Sequence, residues 1–438
     1  MLNPVMRRLL LGIALALVLL SYFFFKERLG EFGITAADRA VQDAVKPDRG
    51  MLSDIKKWQR ESQIRRIVGL VFYGEPIHDL LFFSPGIDQI KISEKQNSRS
   101  HWNPALIMCT NKQRNLVKNG GILDEVIWLQ RTQNQADLAF LDKLIHSEAG
   151  YSRVDVQHSD GNYASAYDGI EDDVLYVKVD TDIVYIEDST ILSMVHLRAT
   201  RPDYFAVGAN IINQPLSSWL HWGLGVVRPY LPETEVFYPK DDEKQGQQSI
   251  SWRASLLPKW NAPNAFNMSE WSPPEGRMHR WLPVPHGVDH ILDGTPITTT
   301  TYDAYTSPGW WNWIVGAQQH YSFLEHLETD QLWRYRFHAW DYRDLRMGIQ
   351  LIAMTGKDIN NVKPIAADDE DFFSVKMPRK LGRSVVAAGG GVAAHYSFGA
   401  QKDGMAKTDI LDRYRSYAQE KICKGPILWS SEADDPAK

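Results

Sequence analysis

The stretch Asp173-Val174-Leu175-Tyr176-Val177-Lys178-Val179-Asp180-Thr181-Asp182-Ile183-Val184-Tyr185 decides how this chain is read. Its apolar run is broken only by Lys178, the pattern of a strand buried on both faces of a parallel sheet. Two carboxylates, Asp180 and Asp182, follow just past its end. In open α/β sheets, ligands bind at the carboxyl ends of the strands. Carboxylate oxygens are hard donors suited to Mg²⁺ or Mn²⁺. Asp180 and Asp182 are therefore candidate ligands for a divalent ion that neutralises a diphosphate. An Asp-x-Asp spelling also arises by chance, and Asp369-Glu370-Asp371 repeats it. The strand context, not the spelling, carries the argument.

Outward from this segment, strands and helices alternate. Ile67-Val68-Gly69-Leu70-Val71-Phe72-Tyr73-Gly74 is a continuous apolar run closed by glycine, and Glu125 to Gln130 forms a second strand. Asp137 to Ile145 has helical spacing, and Tyr204 to Asn213 reads as a further strand. Such alternation predicts an α/β fold built on a parallel sheet. Residues 229–300, rich in Pro and Trp, read as loops over the sheet. Helical spacing returns at Trp313–Leu327 and at Arg346–Met354. Gly389-Gly390-Gly391 reads as a tight turn, since no helix-opening Gly-Lys-Ser/Thr follows.

The 438 residues carry 48 Lys+Arg against 54 Asp+Glu, a net charge of −6. This balance argues against a nucleic-acid partner, which calls for a surplus of positive charge. Two cysteines, Cys109 and Cys423, exclude a disulfide scaffold or a Cys-rich zinc site, although the two could pair with each other in an oxidising compartment. Leu9 to Phe25 holds seventeen residues without a charge, flanked by Arg7 and Arg8 before and Lys26 after. As a helix it reaches about 25 Å, near the lower limit for crossing a bilayer. It ends in Tyr22-Phe23-Phe24-Phe25 rather than the small residues of a cleavage site, which favours an uncleaved anchor. The basic N-terminus predicts a cytosolic tail and a lumenal body. A short span suits the thinner membranes of the ER and Golgi. The sequon Asn267-Met268-Ser269 agrees with that side.

Aromatic residues are abundant, with 15 Trp, 18 Tyr and 16 Phe. Flat faces with a polar edge suit a sugar ring, though cores use the same residues. Trp310, Trp311 and Trp313 are candidates for an acceptor platform, with packing the plainer role for at least one of them. Tyr73, Arg131 and Thr132 close the first two strands, where a nucleotide base and ribose would lie beside Asp180.

The Asp180-Thr181-Asp182 segment resembles the Asp-x-Asp motif of GT-A glycosyltransferases. With His320-Tyr321-Ser322-Phe323-Leu324-Glu325, Pro378-Arg379-Lys380-Leu381-Gly382-Arg383 and Ala394-His395-Tyr396-Ser397-Phe398, the chain from Ile67 to Cys423 resembles a fungal-type family of single-pass (type II) membrane proteins with a GT-A-like domain. The resemblance implies a Rossmann-type mixed, mostly parallel sheet flanked by helices. It implies Mn²⁺ or Mg²⁺ on Asp180, Asp182 and His395, the last standing 26 positions after Asp369. The run Asp368-Asp369-Glu370-Asp371 is similar to the acidic motif supplying the base of inverting GT-A enzymes, galactofuranosyltransferases included. By that likeness Asp369 is the expected base, with Asp368 and Glu370 close behind. The expected organisation is a tail (1–8), an anchor (9–25), a stem (26–62), a catalytic domain (63–425) and a C-terminal tail (426–438). The expected partners are a UDP- or GDP-sugar donor, a glycan or glycoprotein acceptor of the cell surface or cell wall, and the membrane. The rival expectations are a non-catalytic glycan-binding relative and a metal-dependent hydrolase.

Overall fold

The computed structural model describes residues 49–74, 115–156, 163–234, 250–261, 266–268, 270–273, 278–285, 292 and 294–422. The expected anchor, Ser269 of the sequon and both cysteines lie outside these residues. Among the described residues, no helix is long and apolar enough to cross a membrane.

Strand β1 (Arg66–Tyr73) pairs in parallel with β2 (Glu125–Gln130) and with β4 (Val174–Asp180), and β2 pairs in parallel with β3 (Tyr151–Asp155). On the other side of β4 lies β10 (Leu351–Thr355), antiparallel to both β4 and β6 (Ala206–Ile212). Then come β11 (Val385–His395), parallel to β6, and β5 (Ile183–Ile186), antiparallel to β11. The order is β3-β2-β1-β4-β10-β6-β11-β5, with β9 (Ala339–Asp341) added against β11. A short pair, β7 (Tyr230–Pro232) and β8 (Trp281–Pro283), stands apart within the expected loop region.

The two-residue period of a strand sends alternate side chains to opposite faces. In β1 and β4, Ile67, Val71, Leu175, Val177 and Val179 pack with Ile55 of α1 (Arg49–Ser62), Leu141 and Leu144 of α2 (Gln135–Ser147), and Ile191 and Met194 of α3 (Asp188–Thr200). Their neighbours Val68, Leu70, Phe72, Val174 and Tyr176 pack on the other face with Tyr167, Phe372, Phe373 and Met377. Lys178 and Asp180 share the parity of Tyr176, so they belong to this second face. A third apolar cluster joins α5 (Trp313–Glu328), preceded in the chain by α4 (Pro215–Gly223), to α6 (Ile410–Tyr417) through Phe323, Tyr321 and Tyr414.

Three local expectations change. Helical spacing at Arg346–Met354 gives way to an irregular segment and then β10, because a short apolar run buried on both sides has no period to separate strand from helix. Residues 49–62, expected within a stem, form α1 and pack Ile55 into the core. The glycine triplet is not a turn but lies inside β11, where pairing with β6 jumps from Ala388↔Ala209 to Val392↔Asn210. The three glycines are the extra residues of a bulge. A Cβ on Gly389 would stand 2.2 Å from the Phe337 carbonyl oxygen, and one on Gly391 would stand 2.6 Å from the Thr190 nitrogen. Only glycine permits that approach.

Candidate functional site

Backbone pairing assembles the acidic end of β4. The Asp180 N–H donates to the Gln350 carbonyl at 2.8 Å, which ties the strand end to the approach of β10. The chain steps through Thr181 and Asp182 into β5, where Ile183 lies in register with His395 of β11. The Tyr396 N–H donates to the Asp182 carbonyl at 2.9 Å. This ladder brings His395 Nε2 to 3.0 Å from Asp182 Oδ2. The other ring nitrogen, Nδ1, lies 3.3 Å from the Asn213 carbonyl. Asn213 itself adopts a left-handed φ of 61° and donates from Nδ2 to the Tyr396 carbonyl and Gln401 Oε1, both at 2.9 Å. The loop after β11 is thereby locked to the end of β6.

Charges here are set by burial and pairing. Burial works against ionisation of Asp182, but the ion pair and hydrogen bond to His395 outweigh it and hold the carboxyl below its ordinary range. His395 responds in kind: burial opposes its charge, Asp182 prevails, and the imidazole is raised. Burial pushes Asp180 up to about 6; Lys178 opposes this, while Asp182 and Asp369 add to it. Lys178 donates to Asp180 Oδ1 and, at 3.2 Å, to the Ile349 carbonyl.

The four-acid run divides by partner. Asp368 caps its helical turn by accepting from the Asp371 N–H. Arg346 grips Asp368 at 2.7 and 3.0 Å and Glu370 at 2.6 Å. Asp371 pairs with Lys376 at 2.8 Å. Asp369 has no cation within ion-pair distance among the described residues. It is 8% exposed and accepts from the Tyr167 hydroxyl at 2.7 Å. Tyr167 is wedged edge-on between Phe72 and Phe373. Burial, followed by Asp369, keeps its hydroxyl protonated far beyond the usual range. Tyr167 thereby links Asp369 to Phe72, which lies in register with Asp180 at the end of β4.

The donor-side candidates separate. Arg131 has the second-face parity, and its guanidinium lies 4.0 Å from the Tyr163 ring centroid. Tyr73 has the opposite parity: its ring packs against Trp128 and its hydroxyl donates to the Asp137 carbonyl at 3.0 Å. Thr132 donates to Asp137 at 3.0 Å and accepts from the Asn134 N–H. Tyr73 and Thr132 thus serve the start of α2. The tryptophans separate too. Trp310 lies 4.7 Å from the Phe398 ring, which is 4.5 Å from His395. Trp311 is 51% exposed. Trp313 packs with Trp271, His279 and Trp281. His320 is a core residue, bonded to the Tyr414 hydroxyl and Tyr396 carbonyl, so it ties α5 to the loop after β11.

No local pattern in the sequence marks Tyr167, Arg346 and Asn213, because their partners lie 202, 22 to 24 and 183 to 188 positions away. Lys178 was legible in principle, since it shares strand parity with Asp180.

No three His, Cys, Asp or Glu side chains form a ready-made metal cage among the described residues. The donors present nevertheless fit a divalent ion that takes its other ligands from phosphate and water. Asp182 Oδ1 is buried and without a hydrogen-bond partner. The Asn213 carbonyl occupies His395 Nδ1, so Nε2, which faces Asp182, would be the ligating nitrogen once an ion displaces its proton. No protein-family model and no curated protein matches the chain.

Proposed function

We propose that this protein is a GT-A-like, inverting glycosyltransferase that moves a sugar from a UDP- or GDP-sugar to a glycan or glycoprotein acceptor. In this reading the chain is a type II membrane protein of the Golgi or ER, anchored by Leu9–Phe25 with its body in the lumen. The mixed, mostly parallel sheet agrees with that fold. The observation that carries the reading is the contrast within the acidic run. Arg346 and Lys376 neutralise its neighbours, while Asp369, with no cation within ion-pair distance among the described residues, is held by Tyr167, whose ring meets Phe72, the register partner of Asp180.

Asp182 and His395, with Asp180, would hold Mn²⁺ or Mg²⁺. When bound, that ion supplies charge neutralisation for the diphosphate leaving group. The chain's residues do the rest. Tyr167 fixes one oxygen of Asp369 and leaves the other for an acceptor hydroxyl. As the hydroxyl oxygen forms its bond to the anomeric carbon, Asp369 takes the proton. The bond from that carbon to the diphosphate oxygen breaks, and the nucleoside diphosphate leaves with the electron pair. Attack opposite the leaving group inverts the centre. Trp310 and exposed Trp311 offer ring faces for the acceptor.

The test is to screen the purified full-length protein for transfer or hydrolysis with a panel of UDP- and GDP-sugars and Mn²⁺. Asp369→Asn should lower turnover by about 100-fold or more, the usual range for removal of a general base, with donor affinity nearly intact. Normal turnover in that variant would remove the base assignment. A panel with no turnover would favour the glycan-binding alternative.

A further inference from the structure

Arg131 presents an anomaly outside the acidic cluster. It follows the last residue of β2, and its N–H donates to the Tyr73 carbonyl at 2.8 Å, extending the ladder to the carboxyl edge of the sheet. Its residue is only 2% exposed, and Nη1 is fully buried. Among the described residues, no side-chain hydrogen bond or ion pair reaches the guanidinium, and its buried Nη1 has no hydrogen-bond partner. The guanidinium lies over the face of Tyr163, which stacks in turn on Phe72, and its charge is felt by the Tyr167 hydroxyl. Phe72 meets Tyr167, the residue that holds Asp369. The other two buried arginines among the described residues each have a carboxylate close by: Arg198 reaches Asp358 at 2.6 Å and Arg413 reaches Asp409 at 2.7 Å. A bare buried cation is destabilising unless a counter-charge arrives. Five donors in a planar fork, with one face stacked on an aromatic ring, match an oxyanion.

We propose that Arg131, backed by Tyr163, is an oxyanion subsite that binds a phosphoryl or carboxylate group of the ligand rather than its base or ribose. This deepens the transferase reading and rests on it only for the identity of the ligand. The phosphoryl source is a nucleoside diphosphate; the carboxylate source is an acidic sugar.

The test uses the full-length protein in EDTA, where no divalent ion contributes, with UDP, pyrophosphate, uridine and glucuronate titrated by calorimetry. Arg131→Gln should weaken UDP and pyrophosphate at least 10-fold and leave uridine unchanged. A loss confined to glucuronate supports the subsite and assigns it to an acidic sugar. Arg131→Gln should also raise the ligand-free melting temperature, because it removes an uncompensated buried charge. Unchanged affinities for all the anions, or a lowered melting temperature in the ligand-free variant, would overturn the subsite. The Mn²⁺-dependent gain in UDP affinity is measured separately with Asp182→Ala. Its absence in the parent protein counts against the metal reading and leaves the Arg131 result standing.

Discussion

Asp182 shows how much a single residue takes from its surroundings. One oxygen is paired with His395 and the other is buried without a partner. A hard cation is the natural counterpart for that orphan oxygen. Asp182→Ala should therefore abolish Mn²⁺-dependent tightening of nucleotide binding in calorimetry; equal affinity with and without the side chain would remove the metal proposal. Arg346 makes the complementary point. By engaging Asp368 and Glu370 together it leaves two of the four acids occupied. The two respond differently. Burial alone would raise both, but the bidentate grip of Arg346 brings Asp368 below its usual range, whereas burial wins at Glu370. Four adjacent acids in the chain thus become four chemically distinct groups.

The element on which the site turns is β11. It pairs with β6 on both sides of the glycine bulge, while along its other edge the first half meets β9 and the last residues meet β5. The glycine bulge lets one strand serve both ladders, and the second ladder sets His395 against Asp182. Packing predicts what its loss would cost. The Cβ of Gly389→Ala would collide with backbone at Phe337, and overpacking of this kind costs about 1–3 kcal/mol. Urea unfolding should register that loss, and Mn²⁺ affinity should fall with it as His395 shifts. A variant with parental stability would show that the bulge has room to spare. The β4–β5 step works by the same logic on a smaller scale, since two residues between strands hold Asp182 where both ladders meet.

Across the whole molecule, buried histidines govern the response to acid. Burial depresses His221 to about 3 and His279, His320 and His326 to about 4. The unfolded chain binds protons at these sites below pH 6.5, whereas the folded chain refuses them. Their stabilising effect is complete above about 6.5 and is lost as pH falls toward about 4. Each such histidine costs about 2 kcal/mol by pH 5. His395 works in the opposite sense, because Asp182 outweighs its burial. The net expectation is a marked drop in urea midpoint between pH 7 and pH 5; an unchanged midpoint would refute it. Strands β1, β2, β4 and β6, helices α2 and α5, and the position of Asp180 at a strand end are all legible in the order of the residues. Hydrophobic runs and periodicity are local properties and survive in one dimension. Folding in three dimensions settled that 351–355 is a strand, that the glycines bulge rather than turn, and that Tyr73 and Thr132 serve the start of α2. It also decided which acid stays free of a cation, because that depends on Arg346 and Tyr167 approaching from distant parts of the chain, and long-range pairing leaves no periodic trace in the residues that make it.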